Sequence, residues 1–194
     1  MLIGYLKYIC GMFKIASYRI EQAMTINNLQ KKEKEIMIYK QIIYAVNVHR
    51  KAMELCKSLI SCFEGLFFSL IAVGVFNLSL NLYRIFQTIS VISDKEEITL
   101  HFIIVIVTLL YMFLANYAGQ EITDHNDYIF FIAYNVRWYI APLHIQKMIL
   151  FLLQIGNKAF GLHIGGLFVA SLNCFASLAS ASISYFTVLY STQQ

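Results

Sequence analysis

The chain has 194 residues, of which 59% are hydrophobic and 13% charged, with a single proline and a formal net charge of +4. Soluble domains usually carry about 25% charged residues, so this composition argues against a soluble globular protein, and its hydrophobicity excludes disorder. No basic face with interleaved aromatic residues is visible, which argues against a nucleic-acid-binding protein. The four cysteines are scattered in or beside apolar runs, so they predict no disulfide framework.

Residues 1–18 and 19–57 precede the first long apolar segment. The first stretch is apolar but short, and it holds Lys7 and Lys14, whose side chains can extend from a helix end to the interface. We interpret it as the inner part of a truncated span. The second stretch is highly charged, but from Ile36 onward apolar residues recur at helical spacing. It is therefore predicted to be a cytoplasmic loop and helix that continues into the next span.

Three later segments could cross a bilayer, whose hydrocarbon core of about 30 Å requires roughly 20 apolar residues as helix. They are residues 58–83, 98–118 and 164–190. The first carries Glu64 near its start, the second carries His101, and the third carries no charge. Because these runs are too long for strands and do not alternate, strands are not expected. The predicted fold class is therefore an all-α, polytopic membrane helical bundle.

Residues 119–163, between the second and third spans, are predicted to form a cytoplasmic loop with an anchor helix at 142–155. Pro142 suits the first turn of a helix and Gly156 suits its end. A helix of this length, roughly 20 Å, is too short to span comfortably. We interpret it as packed against other cytoplasmic helices, with an interfacial or reentrant helix as the alternative. The polar run at 121–127 is expected to be a solvated loop.

The distribution of lysine and arginine predicts the orientation, because cytoplasmic loops carry the excess of these residues. Residues 19–57 hold eight, residues 119–163 hold three, and the loop at 84–97 holds two. The first two regions lie on the same side and are therefore placed in the cytoplasm. The 84–97 loop and the tail at 191–194 are then extracellular.

The last span carries a stripe of six polar residues with spacings of 4, 3, 4, 3 and 4, which places them on one narrow helix face. This polar stripe consists of Asn173, Ser177, Ser180, Ser184, Thr187 and Ser191. In hydrocarbon such groups would lack hydrogen-bond partners, so a lipid-facing position is not expected. Two interpretations remain open: the stripe lines a watery path between subunits, or it bonds to neighbouring helices.

Aromatic residues are concentrated on the first two full spans, where these approach the outer face. An aromatic-lined cavity there could bind a small hydrophobic ligand, although aromatic residues in spans also serve as packing or interfacial anchors. The sequence contains no catalytic grouping, no metal-ligand spacing and no phosphate-binding loop. It therefore predicts neither an enzyme nor a cofactor or metal.

Several residue runs, in this order and spacing, resemble the insect odorant receptor family. They are Tyr117-Ala-Gly119-Gln120-Glu121, Tyr134-Asn-Val-Arg-Trp138-Tyr139, Pro142, Gln146-Lys147-Met-Ile-Leu150 and Ser184-Tyr185-Phe186-Thr187-Val188-Leu189, with His49 before a long helix and Tyr18-Arg19-Ile20. The resemblance covers nearly the whole chain but only about the C-terminal half of the family. It implies a partial odorant-receptor fold of about three full spans, a half-span and a cytoplasmic anchor helix. An incomplete gene product or fragment is therefore expected.

The resemblance also implies a function and a set of sites. Family members are odorant-gated cation channels of the plasma membrane that work with an olfactory coreceptor and bind small hydrophobic odorants. By position, Val188 and Thr192 would form the outer constriction of the pore, and Ser184, Thr187 and Ser180 of the polar stripe would line it. The candidates for the ligand pocket, assigned by depth in the membrane, are Phe76, Leu80, Tyr83, Phe102 and Ile106. The subunit anchor would involve Trp138, Tyr139, Gln146 and Lys147. A gustatory receptor of the same superfamily and a non-channel membrane scaffold remain as alternatives.

Overall fold

The computed structural model describes residues 2–25, 31–91, 95–156, 161–164 and 168–192. Parts of several predicted segments lie outside the described residues: residue 1 of the truncated span, 26–30 of the first cytoplasmic region, 92–94 of the outer loop, 157–160 of the second cytoplasmic region, 165–167 at the start of the third span, and 193–194 of the outer tail.

Five α-helices contain most of the described residues, and the predicted all-α fold class is confirmed. In chain order they are α1 (Leu2–Thr25), α2 (Lys31–Val91), α3 (Lys95–Asn135), α4 (Leu143–Gly156) and α5 (Leu172–Ser191). A 3-10 turn at Trp138–Ile140 precedes α4. Two short strands, β1 (His163–Ile164) and β2 (Phe168–Val169), precede α5 and pair antiparallel, with His163 opposite Val169 and Ile164 opposite Phe168.

Among the described residues, α2, α3 and α5 each hold a stretch long and apolar enough to cross a membrane. Only 6%, 17% and 11% of the residues in these stretches are buried inside the protein. In water, a chain would bury so large an apolar surface inside the fold, because each exposed Å² of apolar surface costs about 25 cal/mol of free energy. The exposed apolar helices are therefore those of a membrane protein, with lipid as the solvent for their outer faces.

The helices do not begin and end where hydropathy changes. α2 is continuous across residues 57 and 58, and α3 runs on through the polar run 121–127 to Asn135, so that run is helix rather than the expected loop. α5 begins at Leu172 rather than at residue 164 because Ser171 caps it: the Ser171 side chain accepts a hydrogen bond from the Cys174 N–H at 3.1 Å.

The chain forms two compact units. The first unit consists of Met1–Ser61 and Glu121–Leu162. Its buried residues recur with spacings of three and four, as expected where helices pack through a narrow seam. The seam consists of Ile9, Phe13, Ala16 and Ile20 on α1, of Ile38, Ile42, Ala45, His49, Ala52 and Cys56 on α2, of Ile122, Asn126, Ile129 and Ala133 on α3, and of Ile145, Ile149 and Leu152 on α4.

The second unit consists of Cys62–Gln120 and His163–Gln194. Its buried residues are smaller and more polar than those of the first unit, as is common where membrane helices approach one another closely. They include Leu78, Ser79, Asn81 and Thr88 on α2, Val105, Thr108, Met112 and Asn116 on α3, and Leu178 and Ser182 on α5. Small side chains and internal hydrogen bonds, rather than bulk apolar packing, therefore position α5 in this unit.

Candidate functional site

The polar stripe of α5 lies on the surface of the chain. All six of its residues are exposed, whereas Leu178 and Ser182 on another face of the same helix are buried. Several of its hydroxyl groups donate to carbonyl oxygens of their own helix, for example Ser177 to Asn173 at 3.0 Å and Ser184 to Ser180 at 3.1 Å. These bonds satisfy the hydroxyl protons and leave lone pairs free to accept from water or from another chain. Within the described residues, the stripe is therefore directed outward and not against α2 or α3.

The two residues predicted to form the outer constriction lie at the end of α5. Val188 is 57% exposed, and Thr192 is also exposed. Thr192 is the C-cap of the helix, and its hydroxyl donates to the Leu189 carbonyl at 3.0 Å. The structure thus brings Val188 and Thr192 to one helix end, together with the stripe residues Ser184 and Thr187.

Two polar contacts hold α5 in the second unit. The Ser171 N–H, directly before the helix, donates to Oδ1 of the buried Asn116 at 3.3 Å. In the middle of the helix, the Ser182 carbonyl accepts a hydrogen bond from the Ser79 hydroxyl at 3.0 Å. The roles of Asn116, Ser79 and Ser182 were not predicted, because no local sequence pattern reveals that polar residues distant in the chain will meet.

An aromatic cluster packs α2 against the C-terminal part of α5. Phe86 meets Tyr190 nearly edge-on with ring centroids 4.7 Å apart, and meets Phe186 at 6.2 Å. Edge-to-face pairs of this kind contribute about 0.5–1.5 kcal/mol beyond the area they bury. The contact covers the apolar side of α5 near its C-terminal end and leaves the polar stripe open.

The five candidates for the ligand pocket do not share a common environment. Phe76, Leu80, Phe102 and Ile106 are exposed, at 65%, 53%, 56% and 42%, and Tyr83 is half-buried. A shallow cavity of the second unit is lined by other residues, namely Lys95, Glu96, Thr99, Leu100, Ile103 and Ile104. A pocket at these five positions would therefore need walls from elsewhere, such as a second chain or lipid.

A polar cluster lies beside the pocket candidates. His101 Nδ1 lies 2.7 Å from Asn81 Oδ1, and the Asn81 amide donates to the Asn77 carbonyl at 2.7 Å. The other imidazole nitrogen, Nε2, lies 3.8 Å from a carboxylate oxygen of Glu97. The four-residue spacing of Asn77 and Asn81 places both on one helix face, so this polar face could have been predicted from the sequence.

The predicted anchor residues come together in the first unit, with one exception. The Gln146 amide on α4 donates to the carbonyl oxygens of Tyr139 at 2.9 Å and Ala141 at 2.8 Å, so it ties the 3-10 turn to the helix. The rings of Trp138 and Tyr139 meet edge-on at 6.3 Å, and Tyr139 is 63% exposed. Lys147 is the exception: it follows Gln146 on α4, and its side chain is exposed. Beside the turn lies a cleft of about 760 Å³, bordered by α1 and α2.

His49 and Asn126 form a buried polar pair in the seam of the first unit. His49 Nε2 lies 3.0 Å from Asn126 Oδ1, and the rings of Phe13 and Phe130 lie against the imidazole, each 5.6 Å away. Burial lowers the pKa of His49, and the hydrogen bond to Asn126 opposes this only in part. In the same seam, burial and the neighbouring Cys10 raise the pKa of the Cys56 thiol to about 11, so it stays protonated and unreactive.

The described residues contain no group of three or more His, Cys, Asp or Glu side chains that could hold a metal ion. In comparisons with known proteins, the family model of seven-transmembrane odorant receptors matches residues 1–183. No curated protein matches the chain.

Proposed function

Because the chain belongs to the insect odorant receptor family, we propose that it is a subunit of an odorant-gated cation channel that works with an olfactory coreceptor in the plasma membrane. A small hydrophobic odorant binds near the outer ends of α2 and α3. If the odorant has a higher affinity for the open state, its binding shifts the channel toward opening, and no other source of energy is needed.

The exposure of the complete polar stripe of α5 is the observation that carries this proposal. In lipid, six hydroxyl and amide groups in register would face a medium without hydrogen-bond partners. A stripe used for packing within the chain would be buried against α2 or α3, yet it is Leu178 and Ser182 that are buried. An aqueous conduit between subunits, with Val188 and Thr192 at its outer constriction, accounts for both faces of the helix.

The proposed topology follows the distribution of positive charge. The loop around 84–97 and the C-terminal tail face outside, and the 19–57 and 119–163 regions face the cytoplasm. The 3-10 turn at Trp138–Ile140 and α4, which carries Lys147, then serve as the anchor between subunits. The exposed apolar side chains of Tyr139, Leu143 and Phe151 support this role, since they offer surface for a neighbouring subunit.

Substitution of the stripe tests the proposal. The chain is coexpressed with a coreceptor, Ser180 and Ser184 are replaced by Leu, and odour-evoked cation current is recorded. A conduit face predicts that two added isobutyl groups reduce conductance or change ion selectivity. Ser69→Leu is the matched control, because Ser69 is an exposed serine on α2 that also bonds to its own helix, at Leu66.

If conductance and ion selectivity are unchanged when Ser180 and Ser184 are replaced by Leu, the non-channel scaffold is favoured. Responses that do not require the coreceptor would favour a gustatory-type receptor. The match to the odorant receptor family supports the first proposal over both alternatives.

A further inference from the structure

At the start of α5, the Ser171 N–H is hydrogen-bonded to Asn116 on α3. α5 cannot move away from α3 here without leaving polar groups unpaired. Asn116 is 4% exposed, and its amide nitrogen is already used in a hydrogen bond to the Met112 carbonyl at 2.9 Å. Its Oδ1 accepts from the N–H of Ser171, which precedes the first turn of the helix. If α5 moved away here, the buried Asn116 Oδ1 and the N–H of the half-buried Ser171 would both lose the partner they have.

Gly119, one turn further along α3, makes the same contact sterically tight. A Cβ on Gly119 would overlap the Cβ of Ala170 and would come within 2.6 Å of the Ala170 carbonyl oxygen and 3.0 Å of its carbonyl carbon. These are mostly backbone atoms, so no rotamer change could relieve the overlap. The chain just before α5 is therefore seated directly on the backbone of α3, at a place that only glycine permits.

The contact in the middle of α5 is of the opposite kind. The Ser79 hydroxyl lies within hydrogen-bond distance of two acceptors, the Ser182 carbonyl at 3.0 Å and the Val75 carbonyl of its own helix at 2.8 Å. A hydroxyl has only one proton to donate, so the Ser79 hydroxyl can lose its hydrogen bond to the Ser182 carbonyl and still donate to the Val75 carbonyl. The Ser182 carbonyl lies within a continuous helix, where the N–H four residues on remains as its partner. The two helices can thus separate here without stranding a buried donor or acceptor.

We propose that Asn116 and Gly119 form the fixed pivot of α5, and that Ser79 forms a contact that α5 breaks and remakes when the channel changes state. Asn116, Gly119 and Ser79 are positioning residues, which act through α5 and not by touching ions or odorant. The inference rests on the proposed channel function for its gating part, whereas the difference between the two contacts can be measured without any current.

Hydrogen exchange of the chain in lipid nanodiscs tests the pivot. Asn116→Ala removes the acceptor of the Ser171 amide, and exchange of that amide should accelerate about tenfold, the loss expected for one buried hydrogen bond. Asn135→Ala, an exposed asparagine on the same helix, should leave it unchanged. Ser79→Ala should also leave the Ser171 amide and the α5 amides protected. Equal acceleration in the Asn116 and Ser79 variants, or in neither, would overturn the proposal.

A second pair of variants covers the case in which Asn116→Ala does not fold. Gly119→Ala should also deprotect the Ser171 amide, because its methyl group displaces the Ala170 backbone. Gly65→Ala is the matched control, since a Cβ at Gly65 meets nothing within 4 Å. An unchanged Ser171 amide in Gly119→Ala would show that α5 is not seated there.

Recordings with the coreceptor test the gating part. Ser79→Ala should shift the odorant concentration for half-maximal current by about 2- to 10-fold, as the loss of one shared hydrogen bond in one state predicts. Ser79→Thr, which keeps the hydroxyl, should restore it. Asn116→Ala should instead lower the maximal current per surface subunit. An unshifted half-maximal concentration in Ser79→Ala would refute the releasable contact. If the unaltered chain gives no current at all, the proposed function fails, and the exchange measurements alone decide between the two kinds of contact.

Discussion

At the scale of single residues, the buried pair formed by His49 and Asn126 makes the stability of the first unit sensitive to pH. The Asn126 amide nitrogen donates to Asp127 Oδ1 at 3.2 Å, so its own Oδ1 is the atom assigned to face the imidazole. His49 therefore carries its proton on Nε2. A second proton would reside on Nδ1 of this buried imidazole, which has the rings of Phe13 and Phe130 beside it. The folded unit thus favours neutral His49, as the lowered pKa indicates.

Acid should therefore destabilise the first unit. The pKa of His49 is lower in the folded chain than its unfolded value of 6.5, so its contribution is complete above pH 6.5. It is lost as the pH falls through 6.5 toward the folded pKa, with a slope of at most about 1.4 kcal/mol per pH unit. Equilibrium unfolding of the purified chain in detergent, followed by circular dichroism between pH 7.5 and 5, measures this.

His49→Gln provides the decisive comparison, because a glutamine amide can still donate to Asn126 but does not titrate in this range. The acid-dependent part of the unfolding free energy should diminish in this variant and persist in His125→Gln, which alters a half-exposed neighbour of Asn126. A pH dependence that is the same in His49→Gln as in the unaltered chain would contradict the assignment.

The same pair shows what sequence reasoning could find at this scale. His49 was noticed as a histidine before a long helix, but Asn126 lay in the 121–127 run, which was expected to be solvated. The structure corrects this: α3 continues through the run, and Asn126 is 1% exposed. Polar composition alone predicted a loop. It is the spacing of Ile122, Asn126 and Ile129 that places an asparagine on the buried face.

At the scale of elements, Gln146 links α4 to the 3-10 turn that carries Trp138 and Tyr139. Gln146→Met keeps the length of the side chain but removes both donors, and each bond contributes about 0.5–1.5 kcal/mol. With the turn free to reorient, an anchor that it helps to form should weaken by about 1 kcal/mol. The coreceptor copurified with the chain should then fall about fivefold.

Gln154→Met, an exposed glutamine on the same helix, is the matched control and should leave copurification unchanged. If Gln146→Met retained as much coreceptor as Gln154→Met, the turn would have no part in the subunit contact. Circular dichroism of both variants distinguishes local reorientation of the turn from general unfolding of α4.

Helix ends were harder to predict than helices. Pro142 and Gly156 bracket α4 as their backbone preferences require, because both act through local geometry. By contrast, α3 extends far past residue 118 and α5 begins only at Leu172. Hydropathy indicates where lipid contact ends, whereas helices end where hydrogen bonding changes, as at the Ser171 cap. The spacing of the polar stripe was enough to predict that its residues share one face of α5. Its exposure could not be predicted, because it depends on the fact that α2 and α3 cover a different face, the one with Leu178 and Ser182.

At the scale of the whole molecule, composition was sufficient to predict helices that face lipid, because a chain with 59% hydrophobic residues cannot bury them all within so small a bundle. The family could also be predicted from the sequence, because several residue runs in the right order resemble it, and the family model matches residues 1–183. The contacts of Asn116, Gly119 and Ser79 could not be predicted from the sequence, because they join residues that are from 51 to 103 positions apart.

The orientation of the molecule in the bilayer leads to a test that does not depend on channel activity. Residues 19–57 carry eight lysines and arginines, and the 84–97 loop carries two, so α2 should enter the membrane from the cytoplasm. Among the described residues, three helices can cross it, namely α2, α3 and α5, so this orientation predicts a C-terminus outside. An epitope after Gln194 should bind antibody on intact cells, whereas an epitope inserted between α1 and α2 should bind only after permeabilisation. If the C-terminal epitope also required permeabilisation, α5 would not end on the outer face, and neither the constriction at Val188 and Thr192 nor the outer pocket could lie where they are proposed.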